Sequence, residues 1–428
     1  MPPARPRQRR AMSMPRAPGR ITADGDRALA EVLVEALRAP AVDDEVAESL
    51  THPFHSYPAR LHPATARILV ELVAERARSN ALIVDPFCGS GTTLVEARAA
   101  GLRAVGTDLN PLAVLVARAK TWTAPARRRS LLRDTGHKIA GEVLAAGKAA
   151  RRSGAEPAPM RKPKGFDPNA RNRRLAAWFA PHVRRELELI ATMLDDLRDD
   201  DAEIADVLTA CLSAILYKVS SRTSDTDGTW VDRNVPRGAA ARNFALRVDL
   251  LYAGLADLAH AGARASGPPD VFEMDARKLG DVVTDGTAAG IITSPPYAGT
   301  YDYAEHQRLR FDFLGLRHRE LDAGEIGSRR SFQASSLEAD RKWRAALGDV
   351  LDTVARALAP GGLATLIIGD SLAGGRAMYA LDDVRSALSD DLFVEAWASQ
   401  ERPMLGGGER RAFGQRAKAE HVIALRRR

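Results

Sequence analysis

The stretch ALIVDPFCGSGTTLVEARAAGLRAVGTD, residues 81–108, decides the fold. A short apolar run ends in an acid at Asp85, a glycine-bearing turn follows, a helical segment stops at Gly101, and a second apolar run ends in Asp108. The change from continuous apolar to helical spacing and back is the mark of buried parallel strands joined by crossover helices. PLAVLVARAK at 111–120 continues as the next helix, giving a βαβα start. The alternation resumes after Gly267. DVFEMD and GIITS read as strands, YAEHQRLRFDFLGL as one helix and RKWRAALGDVLDTVARALA as a longer one. PGG then turns into the strand LATLIIGD, LDDVRSALSD is helical, and LFVEAWASQ and EHVIALR supply the last strands. The fold class is α/β: a mostly parallel, Rossmann-like sheet with helices on both faces.

Between the two halves the alternation breaks. Residues 121–266 form a largely helical insertion domain, in which HVRRELELIATMLDDLRDDDAEIADVLTACLSAILYKVS reads as one or two amphipathic helices. Its first part is basic, with fourteen Lys and Arg against four Asp and Glu from Thr121 to Leu175. The chain therefore divides into a disordered basic arm at 1–20, a first half of the sheet domain with N-terminal helices at 21–120, the insertion at 121–266 and a second half at 267–428. The arm carries six arginines and five prolines without an acid, too little apolar surface to offset ordering, and is equally a nucleic-acid tether or an inert tail. DRALAEVLVEALRAP, within residues 21–50, reads as a short helix.

Composition narrows the function classes. With 45% hydrophobic and 27% charged residues in 428, the chain is neither disordered nor a membrane protein, and no run reaches the ~18 apolar residues of a spanning helix. Two cysteines, Cys88 and Cys211, are too few for a disulfide framework or a four-thiolate zinc site, and a reducing cytoplasm fits them. The net charge of +7 permits a polyanionic partner without requiring one.

Two clusters carry chemistry. In DPFCGSGTT, glycines at a strand-to-helix turn let the backbone approach a ligand, and Asp108 at the end of the following strand is placed to accept the hydroxyls of a ribose. A dinucleotide fingerprint would need GxGxxG and a phosphate loop GK[ST]; neither stands here, so a nucleoside cofactor without those phosphates is the better reading. The second cluster, TSPPY at 293–297, follows a strand whose C-terminal end faces the ligand crevice. Adjacent prolines stiffen that loop, remove two N–H donors and leave carbonyls as acceptors. Ser294 Oγ and the Pro295 carbonyl suit an exocyclic amino group, and Tyr297 offers a flat face to a base.

Together the clusters resemble the amino-group DNA methyltransferases, which methylate cytosine N4 or adenine N6 with S-adenosylmethionine. DPFCGSGTT is similar to their cofactor motif, GTDLNPLA to the end of the second strand, and TSPPY to their catalytic motif, SPPY being commoner in the N4-cytosine type. HPFHSYPARLHPATARIL at 52–69 resembles the element they place ahead of the cofactor motif, and YDY at 301–303 and PGGLATLIIGDS fit as well. The resemblance implies that Asp85, Phe87, Gly89 and Gly91 shape the methionine and adenosine pocket and that Asp108 binds the ribose. It implies that Asp275 contacts the adenine amino group and that Tyr57 and Pro58 close the methionine end. It implies that Ser294, Pro295, Pro296 and Tyr297 form the catalytic loop. Many SPPY enzymes have the reverse motif order, so target recognition falls on the insertion here.

The function expected is site-specific methylation of DNA, cytosine N4 first and adenine N6 next, with a restriction endonuclease as a possible companion. The alternatives are an RNA methyltransferase acting on an exocyclic amine and an inactive nucleic-acid-binding module with this fold. A protein-glutamine methyltransferase would more often show NPPY. His52, His55 and His62 suggest zinc, but no cysteine or carboxylate completes the set, and no metal is expected. Cys88 reads as a small wall residue of the turn, Cys211 as core. The polar loop 220–230, with Arg222 and Trp230, suits phosphate or base contacts and equally a solvated loop; GGG at 406–408 is a substrate lid or a hairpin turn.

Overall fold

The computed structural model describes residues 19–77, 80–153, 168–222, 229–231, 233–262, 267–334 and 336–428. The basic arm, but for its last two residues, lies outside them, as do residues 154–167 of the basic run and the middle of the 220–230 loop. Ten strands are seen: β1 (Ile21–Gly25), β2 (Leu82–Asp85), β3 (Arg103–Asp108), β4 (Asp270–Glu273), β5 (Ala288–Thr293), β6 (Leu358–Gly369), β7 (Ser371–Ala373), β8 (Arg376–Met378), β9 (Leu392–Glu401) and β10 (Ala419–Arg427). Eight of them form one sheet in the order β1-β9-β10-β6-β5-β2-β3-β4, and β7 and β8 form a separate hairpin. From β6 through β5, β2 and β3 to β4 every pair is parallel; β10 runs antiparallel to both β6 and β9, and β1 antiparallel to β9.

Strand alternation sorts the two faces. Ile83, Ile292, Ile367 and Val422 point to a layer holding Leu29, Leu33, Leu69, Val73 and Leu94, from the helices Arg27–Val42, Pro63–Arg76 and Thr92–Ala99. Their sequence neighbours Val84, Ile291, Leu366, Ile368 and Ile423 point the other way, onto Leu347, Val350, Val354 and Val384 of the helices Ser336–Ala357 and Ala380–Ala387. Such two-sided burial explains why these strands read as continuous apolar runs.

Several details differ from the sequence reading. β1 was not expected; it adds an antiparallel edge that only the pairing with β9 reveals. The segment expected as one helix at 303–316 is two, Tyr303–His306 and Arg308–Leu314, parted at Gln307. PGG is not a free turn ahead of β6. It bulges out within the strand, where Ala288 pairs with Leu358 and Gly290 already with Leu363, and Gly361 takes a φ of +76°.

Where one or two amphipathic helices were expected the insertion has two, Pro181–Asp200 and Ala202–Ile215, and it also holds Ala126–Ser153, Pro168–Trp178 and Ala239–Ala261. Their apolar sides form one core that includes Leu187, Leu208, Phe244 and Val248 and continues into Phe54, Leu309 and Phe313 of the flanking halves. Part of the basic run holds this unit together. Arg128 pairs with Asp201 and Glu203, Arg133 with Asp249, and Arg174 with the buried Asp312. Among the described residues no helix is long and apolar enough to cross a membrane.

Candidate functional site

The C-terminal ends of β2, β3, β4 and β5 open onto one cavity, as expected for a parallel sheet. Its lining includes Tyr57, Asp85, Phe87, Gly89, Asp108, Asp275, Ser294 and Pro296 from the sequence reading. Asp85 closes β2; its Oδ1 accepts from Phe87 N (3.2 Å) and from Thr293 Oγ1 (2.7 Å), which ties the strand of the glycine turn to the strand ahead of Ser294. Asp108 accepts from Gly89 N (2.9 Å) and Asn110 N (2.8 Å), one on each oxygen, so the carboxylate is fixed by backbone and keeps lone pairs for a ligand. Burial pushes both carboxyls up to about 6.

The two glycines of the turn do different things. Gly89, at φ +50°, lines the cavity and donates to Asp108. Gly91, at φ +79°, precedes the helix Thr92–Ala99, and a Cβ there would stand 3.0 Å from Ala117 Cβ. Gly91 therefore serves close helix packing and does not line the cavity, and Pro58 does not line it either. Tyr57 does, with its hydroxyl accepting from Asn110 Nδ2 at 3.0 Å. Asp275 lies at the rim with its carboxylate bound by Arg277, which holds it below the usual carboxylate range against the opposing effect of burial. Arg60, Asn110, Met274, Tyr303 and Glu325 also line the cavity and were not singled out from sequence. Asn110 was readable in DLNP, where it caps the helix Pro111–Thr121 by accepting from Leu112 N.

A second pocket adjoins the first and shares Ala59, Arg60, Leu61, Ser294 and Tyr303 with it. Pro295, Tyr297, Tyr301, Arg402 and Glu420 complete its polar and aromatic wall. Tyr297 donates its hydroxyl to Glu420 Oε1 (3.0 Å), and Glu420 is paired in turn with Arg402. Burial raises the Tyr297 phenol to about 12, so it stays protonated and donating. Its ring edge lies against Gly369, where a Cβ would come within 2.8 Å. The loop was expected to leave both proline carbonyls open. In fact the Pro296 carbonyl accepts from Trp343 Nε1 (3.2 Å), and only that of Pro295 has no partner among the described residues. The loop beyond is stapled to 325–329: Gly299 N donates to Gly327 O, Tyr303 N to Glu325 Oε1 and Arg329 N to Tyr301 O.

Other candidates are absorbed by structure. His52 Nε2 donates to Glu96 (2.6 Å), His55 meets Ser213 Oγ (3.0 Å) and His62 Nδ1 accepts from Ala64 N at the start of the helix Pro63–Arg76. Among the described residues no group of three His, Cys, Asp or Glu is placed to hold a metal. Cys88 packs behind the turn against Gly106, and burial pushes its thiol up, away from a nucleophile's range. Ser399, His421 and Asp370 form a hydrogen-bonded row of 2.7 and 3.0 Å, yet all three are buried in the sheet and line neither pocket.

A mostly parallel sheet between helical layers, with a cavity over the C-terminal ends of β2–β5, is the α/β, Rossmann-like arrangement expected. Residues 30–118 match the DNA methylase family of N6 and N4 methyltransferases. The type II methyltransferase M.MvaI of Kocuria varians is 27% identical over 285 residues, 63% of this chain and 59% of that protein, so the chain spans less than two thirds of this relative. A tRNA (guanine(10)-N2)-dimethyltransferase of Methanothermobacter thermautotrophicus is 43% identical over 54 residues, 13% of this chain and 16% of that one. Among solved structures, the rRNA methyltransferase AviRa from Streptomyces viridochromogenes aligns with a TM-score of 0.32 and 12% identity, covering 90% of this chain and 93% of that one. Over residues 30–118 the chain is thus similar to the N6 and N4 DNA methylases, and the methyl donor is S-adenosylmethionine.

The residues present fit that donor. Ser90 Oγ and Thr92 Oγ1 are buried at the cavity wall without a protein partner among the described residues, and a polar ligand would satisfy them. Phe87, Leu109, Met274 and Ile326 supply apolar wall for a purine, and Asp108 the acceptors for a ribose.

Proposed function

We propose that the chain transfers a methyl group from S-adenosylmethionine to the exocyclic amine of a base turned out of a DNA duplex, cytosine N4 in the first place and adenine N6 as the nearest variant. One observation carries the reading: the two pockets meet at Ser294, so the amine acceptors stand between a nucleoside-type cavity and a pocket with an aromatic wall. Bound S-adenosylmethionine supplies an electrophilic methyl group, so no side chain has to form a covalent adduct.

The work left to the chain is placement and exclusion of water. Ser294 Oγ and the Pro295 carbonyl accept the two N–H bonds of the amine, which draws its lone pair out of ring conjugation and toward the methyl group. Trp343 and Asp85 hold the two ends of this loop, one through the Pro296 carbonyl and the other through Thr293. Tyr297, fixed by Glu420, presents its face to the base, and stacking offsets part of the few kcal/mol that base flipping costs. The helical insertion is the candidate for reading the target sequence, with exposed Trp230 and the Arg222 guanidinium 4.9 Å over its ring as one contact point. The similarity to a type II enzyme supports a companion endonuclease with the same target.

The test is incubation with tritiated S-adenosylmethionine and separate DNA, RNA and peptide substrates, followed by nucleoside chromatography. Label in N4-methylcytosine is expected. Label confined to RNA would favour the second reading, an RNA amine methyltransferase, which the short tRNA-enzyme match supports.

A further inference from the structure

The segment between β9 and β10 springs from the wall of the second pocket, since Arg402 at its start and Glu420 at its end both line that pocket. Between them stand Leu405 and the glycines 406–408, which the sequence leaves as a lid or a hairpin turn. The glycines open a short helix, Gly407–Ala412, that packs on the β7–β8 hairpin, and Phe413 behind it is buried against Tyr379 with ring centroids 5.7 Å apart. Leu405, by contrast, is 78% exposed. A single exposed leucine is ordinary; its setting here is not. Its backbone is fixed: Leu405 N donates to Glu409 Oε2 at 2.7 Å, and Glu409 Oε1 accepts from Lys418 Nζ at 2.6 Å, which ties the tip to the foot of β10. The three glycines that follow answer no local need. None takes a positive φ, a Cβ at Gly406 would meet nothing within 4 Å, and those at Gly407 and Gly408 would make only ordinary contacts at 3.8 and 3.4 Å. Successive glycines cost conformational entropy on folding. What they leave is a slim tip on which the Leu405 side chain stands clear.

Charge around the tip is divided. Arg402, Arg416 and Lys418 are paired with Glu420, Asp382 and Glu409. Arg410 and Arg411 are exposed and have no carboxylate partner among the described residues. An apolar point on a fixed backbone, beside two uncommitted cations, matches a nucleic-acid duplex: phosphates meet the arginines and stacked bases meet the leucine. We propose that Leu405 is a wedge that enters the DNA duplex at the space the target base leaves and keeps that base from returning, while Arg410 and Arg411 hold neighbouring phosphates. The inference rests on the reading of the chain as a DNA amine methyltransferase and adds to it the residue that stabilises the flipped state. Leu405 lies three residues from Arg402, so its Cα stands no more than ~11 Å from a wall residue of the base pocket, near enough to act on the duplex from which that base has turned.

The test uses a duplex oligonucleotide carrying the target, located by modification-sensitive sequencing of DNA from cells that express the chain, and a twin with an abasic site opposite the target base. The twin's target is already unpaired, so a wedge has little left to do. In single-turnover methylation, Leu405→Ala should be ~10-fold slower than the wild-type chain on the paired duplex and within ~2-fold of it on the twin, while Leu405→Met restores most of the rate on the paired duplex. Arg410→Ala combined with Arg411→Ala should weaken duplex binding and reduce the slope of log Kd against log salt by ~2. Equal rates for Leu405→Ala and the wild-type chain on the paired duplex overturn the wedge. So does an equal loss on both substrates, which would mean that Leu405 only shapes the loop. An unchanged salt slope removes the two arginines from the phosphate role. A wild-type chain that labels RNA alone, or no nucleic acid, overturns the DNA reading itself, and the wedge with it.

Discussion

The two pockets share a border but are built in opposite ways. The cofactor-type cavity takes its decisive groups from one contiguous stretch: Asp85, Gly89, Asp108 and Asn110 lie within twenty-six residues and bind one another mainly through backbone N–H groups. The second pocket takes Arg60 from the N-terminal side, Ser294–Tyr303 from the middle and Arg402 and Glu420 from the end of the chain, joined side chain to side chain. Local backbone construction gives a shape that a substitution barely disturbs. Long-range side-chain construction gives a surface that one changed atom retunes.

The sharpest way to break this contrast is Ser294→Ala. Loss of one of two amine acceptors should lower single-turnover methylation by ~100-fold or more, while affinity for S-adenosylhomocysteine by calorimetry stays within ~3-fold. Equal losses in both would merge the pockets into one functional unit. Asp108→Ala should do the reverse, weakening S-adenosylhomocysteine by ~30-fold with less effect on turnover at saturating cofactor; unchanged affinity would remove Asp108 from the ribose role.

A pH series sharpens the same point with an effect of ~10-fold. Asp108 stands at about 6, against an ordinary 3.8, because it is buried. Its carboxylate must be ionised to accept two hydroxyls, so cofactor affinity should fall ~10-fold from pH 7 to pH 5, and Asp108→Asn should flatten the profile. Stability runs the other way. Between 3.8 and about 6 the folded chain keeps protons on Asp85 and Asp108 that the unfolded chain releases, so their contribution favours the fold at the acid end and is lost as pH rises through that window. Glu420→Gln should weaken the acceptor for the Tyr297 hydroxyl and the pairing with Arg402, lowering turnover several-fold with cofactor affinity unchanged, as stopped-flow and calorimetry would show together.

What the amino-acid sequence reveals follows the same division. The parallel core, its helices and the wall of the first cavity were legible because they depend on period and on residues near in sequence: DPFCGSG, GTD and GIITS declare themselves. The SPPY loop was legible for the same reason. Arg402 and Glu420 were not, since nothing in RPML or AEHV marks them until β9 and β10 bring their ends beside Tyr297. Gly91 was assigned to the ligand because a glycine pair in a turn looks uniform in sequence, whereas its neighbour Ala117 comes from the next helix but one element along. The basic run at 121–175 looked like surface charge, and several of its arginines turned out to meet carboxylates 73 to 138 residues further on.

The outermost strands have a consequence for behaviour at high concentration. At the core of the sheet, LATLIIG in β6 has the β-propensity and lack of charge of a segment prone to intermolecular pairing when its edges are open. Here it lies between β5 and β10, and the margins of the sheet are β1, five residues long with exposed Asp24, and β4, four residues long with exposed acids at both ends. A second chain arriving at either margin meets a short ladder and like charges, a poor template for growth of a mixed sheet. The strand unforeseen at the N-terminus thus guards against aggregation: it ends, in five residues, a surface that β9 alone would leave twice as long.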